Sequence, residues 1–270
     1  MIVAHILVEK QFWMAQLVRA PTIWFHPKLL PKQPRNRMAL NTNNTTASLN
    51  NKTNSRKLPI LLFDIMDTIV RDPFYHDIPA FFGMSLEELI DLKHPTAWME
   101  FENGVINEEE LASKFFKDGR PIDLEGLKNC VRKGYSYIEG VERLLQALKQ
   151  NNYEMHAFTN YPIWYKIIED KLKISNYLYW TFCSCIYGKR KPDPDFYLAV
   201  VQHLKVDPAS CIFIDDRIKN VEAAVRVGIT GLHFKNADLL RQELLRLGVD
   251  IPIDGDVSED QLKPAEGQTL

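Results

Sequence analysis

Long apolar runs are missing from this chain of 270 residues, and so is an overall excess of positive charge. No run approaches the roughly 20 apolar residues that a membrane-spanning helix needs, so we expect no membrane segment. The formal net charge is −2, and such a chain offers no broad basic face to the phosphates of a nucleic acid. We therefore expect a small-molecule partner, and neither a nucleic acid nor a membrane.

Cysteine is scarce as well. The four cysteines, Cys130, Cys183, Cys185 and Cys211, lack the spacing of a zinc site, and Cys183-Ser184-Cys185 is not a redox CxxC motif. Each lies in an apolar or strand-like context, which favours buried free thiols.

Acidic residues are almost absent from residues 1–57, where nine Lys and Arg stand against the single acid Glu9. This segment ends in the polar tract NTNNTTASLNNKTNSRK, and it holds too little apolar surface to fold. A basic, hydroxylated and acid-poor composition is typical of an organelle transit peptide, so we interpret residues 1–57 as a disordered leader. A disordered tail without a targeting role is the alternative.

The remaining residues, from Leu58 to Leu270, are acidic overall, with 24 basic and 34 acidic side chains. With 46% apolar residues, the whole chain can bury a sizeable core. An acidic protein that acts on an anionic substrate needs a cation at its site.

Strand-like and helix-like patterns alternate along most of this region. After a first strand that begins at Leu58, we predict helices at 141–150, 163–172, 196–204, 220–227 and 237–247, and strands at 153–158, 180–186, 211–214 and 229–234. This alternation predicts an α/β fold, a Rossmann-like parallel sheet covered by helices on both faces.

A block from about Pro73 to Tyr135 interrupts the alternation, because it contains only short amphipathic segments. Ser85 and Asn107 are the predicted N-caps of two of them. Helices directly after the first strand form a separate domain or an insertion over the strand ends. We therefore predict a core of residues 58–72 and 136–250, an inserted all-helical domain of residues 73–135, and a flexible acidic tail of residues 251–270.

Functional side chains follow three of the predicted strands. They are Asp64, Asp67 and Thr68 on the first, Thr159 and Asn160 on the second, and Asp215 and Asp216 on a later one, with Lys191 in a turn between the last two. Parallel strands place their carboxyl ends on one edge of the sheet. Carboxylates that meet there repel one another unless a cation lies among them, and oxygen ligands favour Mg²⁺. The pattern indicates phosphoryl transfer, in which a carboxylate attacks phosphorus. Taken alone, Asp64 could equally be a strand terminator.

The order of these residues resembles the four motifs of the haloacid dehalogenase superfamily. The matching motifs are Phe63-Asp64-x-x-x-Thr68, Thr159 after an apolar strand, Lys191-Pro192-Asp193-Pro194, and Ile214-Asp215-Asp216 followed by Asn220. The resemblance covers about Leu58 to Leu247. Each motif alone is weak, but four in the right order at fitting spacings make a chance match improbable.

The resemblance implies a Mg²⁺-dependent phosphatase whose helical insertion is a cap of the family's first class (C1). It makes Asp64 the nucleophile and Lys191 the residue that neutralises it, with Lys189 as the competing lysine. The implied phosphate ligands are Thr68, Thr159, Asn160 and Lys191, and the implied metal ligands are Asp64, the backbone carbonyl of Met66, Asp215 and Asp216.

Met66 departs from the family pattern. Phosphatases of this superfamily usually carry a second Asp at this position, two residues after the nucleophile, as general acid and base. A methionine moves no proton, and such a group is worth about 10² to 10⁴ in rate. We expect Asp67, or a residue of the helical insertion, to supply part of the missing proton transfer.

A narrower resemblance lies in the phrases FDIMDTIVRDPFY, HAFTNYPIWY and GKRKPDPDFY, which are similar to those of the plant plastid-targeted flavin mononucleotide (FMN) hydrolases. It implies hydrolysis of FMN to riboflavin and phosphate in the chloroplast stroma, after removal of the leader. Alternatives are a phosphatase for another small metabolite, such as a ribityl or sugar phosphate, and a non-catalytic FMN-binding protein. Trp98, Phe101, Tyr161, Trp164 and Tyr165 are candidates to stack on the flavin ring, the alternative being that they pack the cap on the core. The oligomeric state is left open.

Overall fold

The structure is a computed structural model, in which residues 56–251 are described. The predicted leader, apart from Arg56 and Lys57, and the predicted tail beyond residue 251 lie outside the described residues. Arg56 donates from Nη1 to the carbonyl of Leu204 at 2.7 Å, and Lys57 donates from Nζ to the carbonyl of Asn151 at 2.7 Å. Contacts with the core therefore begin at least two residues before the predicted boundary at residue 58.

Within the described residues, five strands form one parallel sheet. They are β1 (Ile60–Phe63), β2 (Met155–Thr159), β3 (Tyr179–Cys183), β4 (Cys211–Asp215) and β5 (Thr230–His233), in the spatial order β3-β2-β1-β4-β5. The order reverses at β1, and the carboxyl ends of strands beside such a reversal are where ligands bind in open α/β sheets. The predicted α/β fold is confirmed.

The helices fall into two groups. Those between β1 and residue 135 are α1 (Asp77–Phe82), α2 (Leu86–Leu92), α3 (Ala97–Glu102), α4 (Glu108–Lys114) and α5 (Leu124–Gly134), preceded by a short 3₁₀ helix at Pro73–Tyr75. Those that alternate with the strands are α6 (Val141–Gln150), α7 (Tyr165–Leu172), α8 (Ser184–Tyr187), α9 (Pro194–Leu204), α10 (Ile218–Arg226) and α11 (Ala237–Arg246). We call the first group the helical insertion.

The central strand β1 shows why the sheet is covered on both faces. All four of its residues are buried. Leu61 and Phe63 belong to one apolar cluster, and Ile60 and Leu62 belong to the other. Successive side chains of a strand point to opposite faces, so the run ILLF fills both helix layers at once.

The predicted helix caps are both present. Ser85 accepts a hydrogen bond from the backbone N–H of Glu88, whose carboxylate accepts in turn from the N–H of Ser85. Asn107 and Glu110 form the same reciprocal pair at the start of α4. These capping boxes satisfy backbone donors that a free helix end leaves without partners.

One predicted strand is too long. The apolar run from Trp180 to Ile186 leaves the sheet at Cys183, and α8 follows at once. The change occurs at Ser184, whose hydroxyl donates to the carbonyl of Glu102 in α3 and accepts from the N–H of Tyr161. Both partners are distant in the chain, so the local apolar pattern does not predict that the strand ends at Cys183. All four cysteines are free as expected, but only Cys183 and Cys211 are fully buried.

The helical insertion is joined to the core through Arg71. Its backbone N–H donates to the carbonyl of Ser136 at 2.9 Å, and its Nη1 donates to the carbonyl of Gly134 at 3.0 Å. Its Nη2 lies 2.7 Å from Asp77 Oδ2. One residue thus ties together the two connections between insertion and core. None of the described helices has the length and hydropathy to cross a membrane.

Candidate active site

The carboxyl ends of β1 and β4 bring three predicted carboxylates together. Phe63 pairs with Ile214, and the N–H of Asp64 donates to the carbonyl of Ile214 at 2.9 Å, which sets Asp64 beside the end of β4. One carboxylate oxygen from each of Asp64, Asp215 and Asp216 lies within 4.8 Å of the other two. Asp64 and Asp215 are buried. Such a group of negative charges needs cations close by.

Lys191 supplies one of these cations. Its side chain is 1% exposed, and Nζ lies 3.0 Å from Asp64 Oδ1 and 2.6 Å from Asp215 Oδ2. Nζ also donates to the carbonyl of Phe158 at 2.6 Å. Burial opposes the charge of Lys191, but the carboxylates of Asp215 and Asp64 hold its pKa above the ordinary lysine value. Lys189, the competing residue, instead lies 3.5 Å from the exposed Asp195.

Both carboxylate oxygens of Asp215 accept hydrogen bonds. Its Oδ1 accepts from the N–H of Arg217 at 2.7 Å, and Asn220 Nδ2 donates to both of its oxygens at 3.1 and 3.0 Å. Burial raises the pKa of Asp215 above the ordinary range, against the pull of Lys191. We call Asp64, Lys191, Asp215, Asp216 and Asn220 the charged cluster.

The predicted phosphate ligands divide into two kinds. Thr159 is fully buried at the end of β2, and its Oγ1 makes no hydrogen bond within residues 56–251. Thr68 Oγ1 accepts from the N–H of Asp216 at 3.1 Å. Asn160 accepts from the N–H of Lys191 and donates to its carbonyl, both at 2.8 Å. Within the described residues, the Thr159 hydroxyl thus has no partner, whereas the side chains of Thr68 and Asn160 hydrogen-bond to the backbone of Asp216 and Lys191.

Met66 and Asp67 lie in the turn after Asp64. The Met66 side chain is buried in the apolar cluster that contains Phe63. Asp67 adopts the left-handed conformation with φ 56°, which Asp tolerates better than most residues. Its Oδ1 accepts from the N–H of Asp72 at 3.2 Å, and it is not one of the three converging carboxylates.

Aromatic residues fasten the helical insertion to the core. Trp164 lies edge-to-face against Trp98 and Phe101, with ring centroids 5.7 and 5.4 Å apart, and Trp98 also meets Tyr161 edge-on. Trp164 is 1% exposed, and its Nε1 donates to Glu108 Oε1 at 2.6 Å. We call Trp98, Phe101, Tyr161 and Trp164 the aromatic junction. Its rings pack on one another, as the alternative to flavin stacking predicted.

Glu102, which no motif indicated, contacts the loop that carries Lys191. It ends α3, and its carboxylate accepts from Trp98 Nε1 at 2.7 Å and from Arg190 Nη2 at 3.2 Å. Arg190 immediately precedes Lys191. No local pattern separates Glu102 from the other acids of the insertion, because its contacts depend on how the end of α3 packs on α8 and on the loop after it.

The family model of the haloacid dehalogenase-like hydrolases matches residues 59–228, and the chain belongs to this family. The resemblance that the motifs indicated is thus confirmed. Among individual proteins, flavin mononucleotide hydrolase 1 of Arabidopsis thaliana, a protein named as chloroplastic, is 65% identical over 198 residues. The match covers 73% of this chain and 81% of that protein.

Solved structures show the same fold. A HAD-like family hydrolase from Porphyromonas gingivalis has a TM-score of 0.56 at 18% identity, covering 72% of this chain and 98% of its own. A HAD family enzyme from Bacteroides thetaiotaomicron, solved in complex with magnesium and inorganic phosphate, has a TM-score of 0.52 at 19% identity. That match covers 67% of this chain and 96% of the bacterial one.

Proposed function

We propose that this protein hydrolyses FMN to riboflavin and inorganic phosphate, with Mg²⁺, through an aspartyl-phosphate on Asp64. The observation that carries the substrate is the 65% identity to flavin mononucleotide hydrolase 1 of Arabidopsis thaliana over 81% of that protein. The charged cluster supports the chemistry, since a buried lysine lies between the proposed nucleophile and a second carboxylate.

The reaction has two steps. The Asp64 carboxylate attacks phosphorus, and the bond from phosphorus to the ester oxygen breaks, so that the leaving oxygen must take up a proton. Water then attacks the phosphorus of the aspartyl-phosphate and gives up a proton. The bond from phosphorus to Asp64 breaks, which restores the carboxylate and releases phosphate.

The chain's own groups stabilise the phosphoryl group during this transfer. Lys191 stays charged and touches Asp64, so it can neutralise both the nucleophile and the incoming phosphoryl oxygens. The Thr159 hydroxyl, which has no partner in the described part of the chain, donates to one of those oxygens. Asn160 acts indirectly, by holding the backbone of Lys191 on both sides.

The carboxylates fit a magnesium ion. Three hard oxygen donors converge within 4.8 Å, and Mg²⁺ prefers such ligands. Asp64, Asp216 and the backbone carbonyl of Met66 would hold it directly. Asp215 would act through water, because both of its oxygens already accept hydrogen bonds. Bound there, the ion would supply positive charge against the phosphoryl oxygens.

We assign the helical insertion, residues 73–135, as a cap over this site, with residues 58–72 and 136–250 as the catalytic core. We place the protein in the chloroplast stroma, with residues 1–57 as a transit peptide that is removed. The acid-poor composition of that segment and the chloroplastic relative support this assignment.

A second candidate is a phosphatase for a smaller phosphorylated metabolite, such as a sugar phosphate. The packing of the aromatic junction favours it, because Phe101, Tyr161 and Trp164 are buried and leave little ring surface for a flavin. The third alternative is a non-catalytic FMN-binding protein. The contact between Lys191 and Asp64 argues against it, because binding of FMN alone does not require a lysine beside the proposed nucleophile.

Phosphate release from FMN and from a panel of ribityl and sugar phosphates distinguishes these functions. We expect turnover of FMN by the wild-type protein with Mg²⁺, and none after chelation. Preference for another ester would replace FMN as the substrate. Binding of FMN without release of phosphate from any ester would overturn the enzymatic proposal.

A further inference from the structure

The proposed reaction requires a proton donor that the core does not obviously provide. The ribityl oxygen of FMN leaves as a strongly basic alkoxide, so its departure needs a proton. Asp64 attacks, Asp216 faces the proposed metal, and Asp215 accepts from Lys191, Arg217 and Asn220. Met66 has no proton to give. The donor must therefore come from Asp67 or from above the sheet edge.

The position of Glu102 follows from its contacts with the core. The Ser184 hydroxyl, directly after β3, donates to the backbone carbonyl of Glu102 and accepts from the N–H of Tyr161, in the turn after Thr159. The Glu102 carboxylate accepts from Arg190, which lies in the loop between α8 and α9 and immediately precedes Lys191. Glu102 therefore lies beside the carboxyl ends of β2 and β3, next to the loop whose Lys191 contacts Asp64.

Contacts with the core and within α3 hold Glu102 in this place. Trp98 Nε1 donates to Glu102 Oε1 at 2.7 Å, and the Ser184 hydroxyl donates to the backbone carbonyl of Glu102. At Gly104, an added Cβ would lie 2.6 Å from the carbonyl oxygen of Cys185, so the turn after α3 packs directly on α8. The carboxylate is thus positioned before any ligand binds.

The surroundings of Glu102 also suit a group that carries a proton. Its side chain is 13% exposed. Burial raises the pKa of Glu102 above the ordinary glutamate value, while Arg190 and Arg217 act in the opposite direction. The other ionisable groups that face it are Lys93 at the end of α2 and Tyr161 after β2.

We propose that Glu102 is the general acid and base of the hydrolysis, and that it replaces the acid missing at Met66. This rests on the proposed phosphatase function. The Glu102 carboxyl gives its proton to the ester oxygen as the bond to phosphorus breaks. The resulting carboxylate then takes a proton from the water that attacks the aspartyl-phosphate.

The test compares two leaving groups in Glu102→Gln, a change that keeps an oxygen to accept from Trp98. Values of kcat/KM report the steps through departure of the leaving group. We expect kcat/KM for FMN to fall by about 10²-fold or more, and that for p-nitrophenyl phosphate, whose phenolate leaves without a proton, to fall much less. The wild-type decline of kcat/KM for FMN at high pH, where Glu102 is ionised, should be absent in the variant.

Asp67→Asn is the matched control, and it should reduce kcat/KM for both substrates to a similar, small extent. Equal losses for both substrates in Glu102→Gln would show a structural role only. A leaving-group-dependent loss in Asp67→Asn, with Glu102→Gln active, would assign the acid to Asp67 and overturn the proposal.

Two further measurements keep the test decisive. If Glu102→Gln does not fold by circular dichroism, Glu102→Asp takes its place, and it should retain the high-pH decline with a reduced rate. If wild type releases phosphate from another alkyl ester but not from FMN, the proposed substrate fails. The leaving-group comparison is then made with that alkyl ester.

Discussion

The charged cluster and the aromatic junction lie at the same edge of the sheet, but different forces hold them. In the charged cluster, buried carboxylates and a buried lysine lose hydration, and only mutual contacts and hydrogen bonds offset that loss. In the aromatic junction, large rings leave water and pack edge-on, which stabilises the fold directly. We therefore expect substitutions in the charged cluster to affect turnover most, and substitutions in the aromatic junction to affect mainly stability.

The largest loss of turnover is expected at Asp64, in the charged cluster. Asp64→Asn removes the nucleophile but keeps the shape of the side chain, so turnover of FMN should fall by at least about 10³-fold. Thermal unfolding should occur near the wild-type temperature, because Lys191 keeps Asp215 as its buried partner. A variant with substantial phosphate release would show that Asp64 is not the nucleophile.

Lys191→Met should reduce turnover by about 10²- to 10³-fold, since it removes charge stabilisation of the phosphoryl group. It should also destabilise the fold by about 3 to 5 kcal/mol near neutral pH, because Asp64 and Asp215 stay buried without their cation. Stability here thus depends on a charge inside the cluster.

The stability loss in Lys191→Met should shrink at low pH. Burial raises the pKa of Asp215, to about 7 even beside Lys191, so the carboxyl becomes neutral on acidification and no longer needs a cation. Because the folded protein holds this pKa above the ordinary aspartate value, stability falls as pH rises from the ordinary value toward about 7. Urea unfolding at pH 5 and pH 8 measures the difference, with Lys189→Met, a change outside the charged cluster, as control. An equal loss of stability at both pH values would contradict this explanation.

Thr159→Val should separate activity from stability most cleanly. The Thr159 hydroxyl is buried and has no partner in the described part of the chain, so its replacement by a methyl group should leave stability unchanged or raise it by up to about 1 kcal/mol. Turnover should fall by about 10²-fold, because a donor to the phosphoryl oxygens is lost. Thr159→Ser should keep most of the activity. A Thr159→Val variant that is less stable than wild type would show that the hydroxyl also stabilises the fold.

The smallest effect on turnover is expected at Trp164. Trp164→Phe keeps a ring in the aromatic junction but loses the hydrogen bond to Glu108, which should lower the free energy of unfolding by about 1.5 to 3 kcal/mol. Turnover should change little, because Trp164 touches no residue of the charged cluster in the contacts described above. Glu108→Gln is the matched partner variant. A large loss of turnover at full stability would show that the junction takes part in the chemistry.

The sequence predicted the sheet, the alternating helices and both capping boxes, because these depend on patterns within a few residues. The end of β3 at Cys183 was not predictable, since Ser184 bonds to Tyr161 and Glu102, which are 23 and 82 residues away. Among site residues, the motifs indicated Asp64, Lys191 and Asp215, which the structure brings together. Spacing did not indicate that Asn160 holds Lys191, or that Glu102 faces Arg190.

Arg71 lies where the helical insertion leaves and re-enters the core, and its contacts bear on how the insertion could open. Arg71 binds both connections of the insertion to each other, so we expect the two connections to move together if the insertion moves relative to the core. Away from these connections, Ser184 and Arg190 hold the insertion at Glu102, and Trp164 holds it at Glu108. If the insertion opened at this point to exchange ligands, the contacts of Glu102 would break and the proposed acid would move away from the loop that holds Lys191. An open enzyme would then be unable to protonate a leaving group, so chemistry and ligand exchange would exclude each other in time.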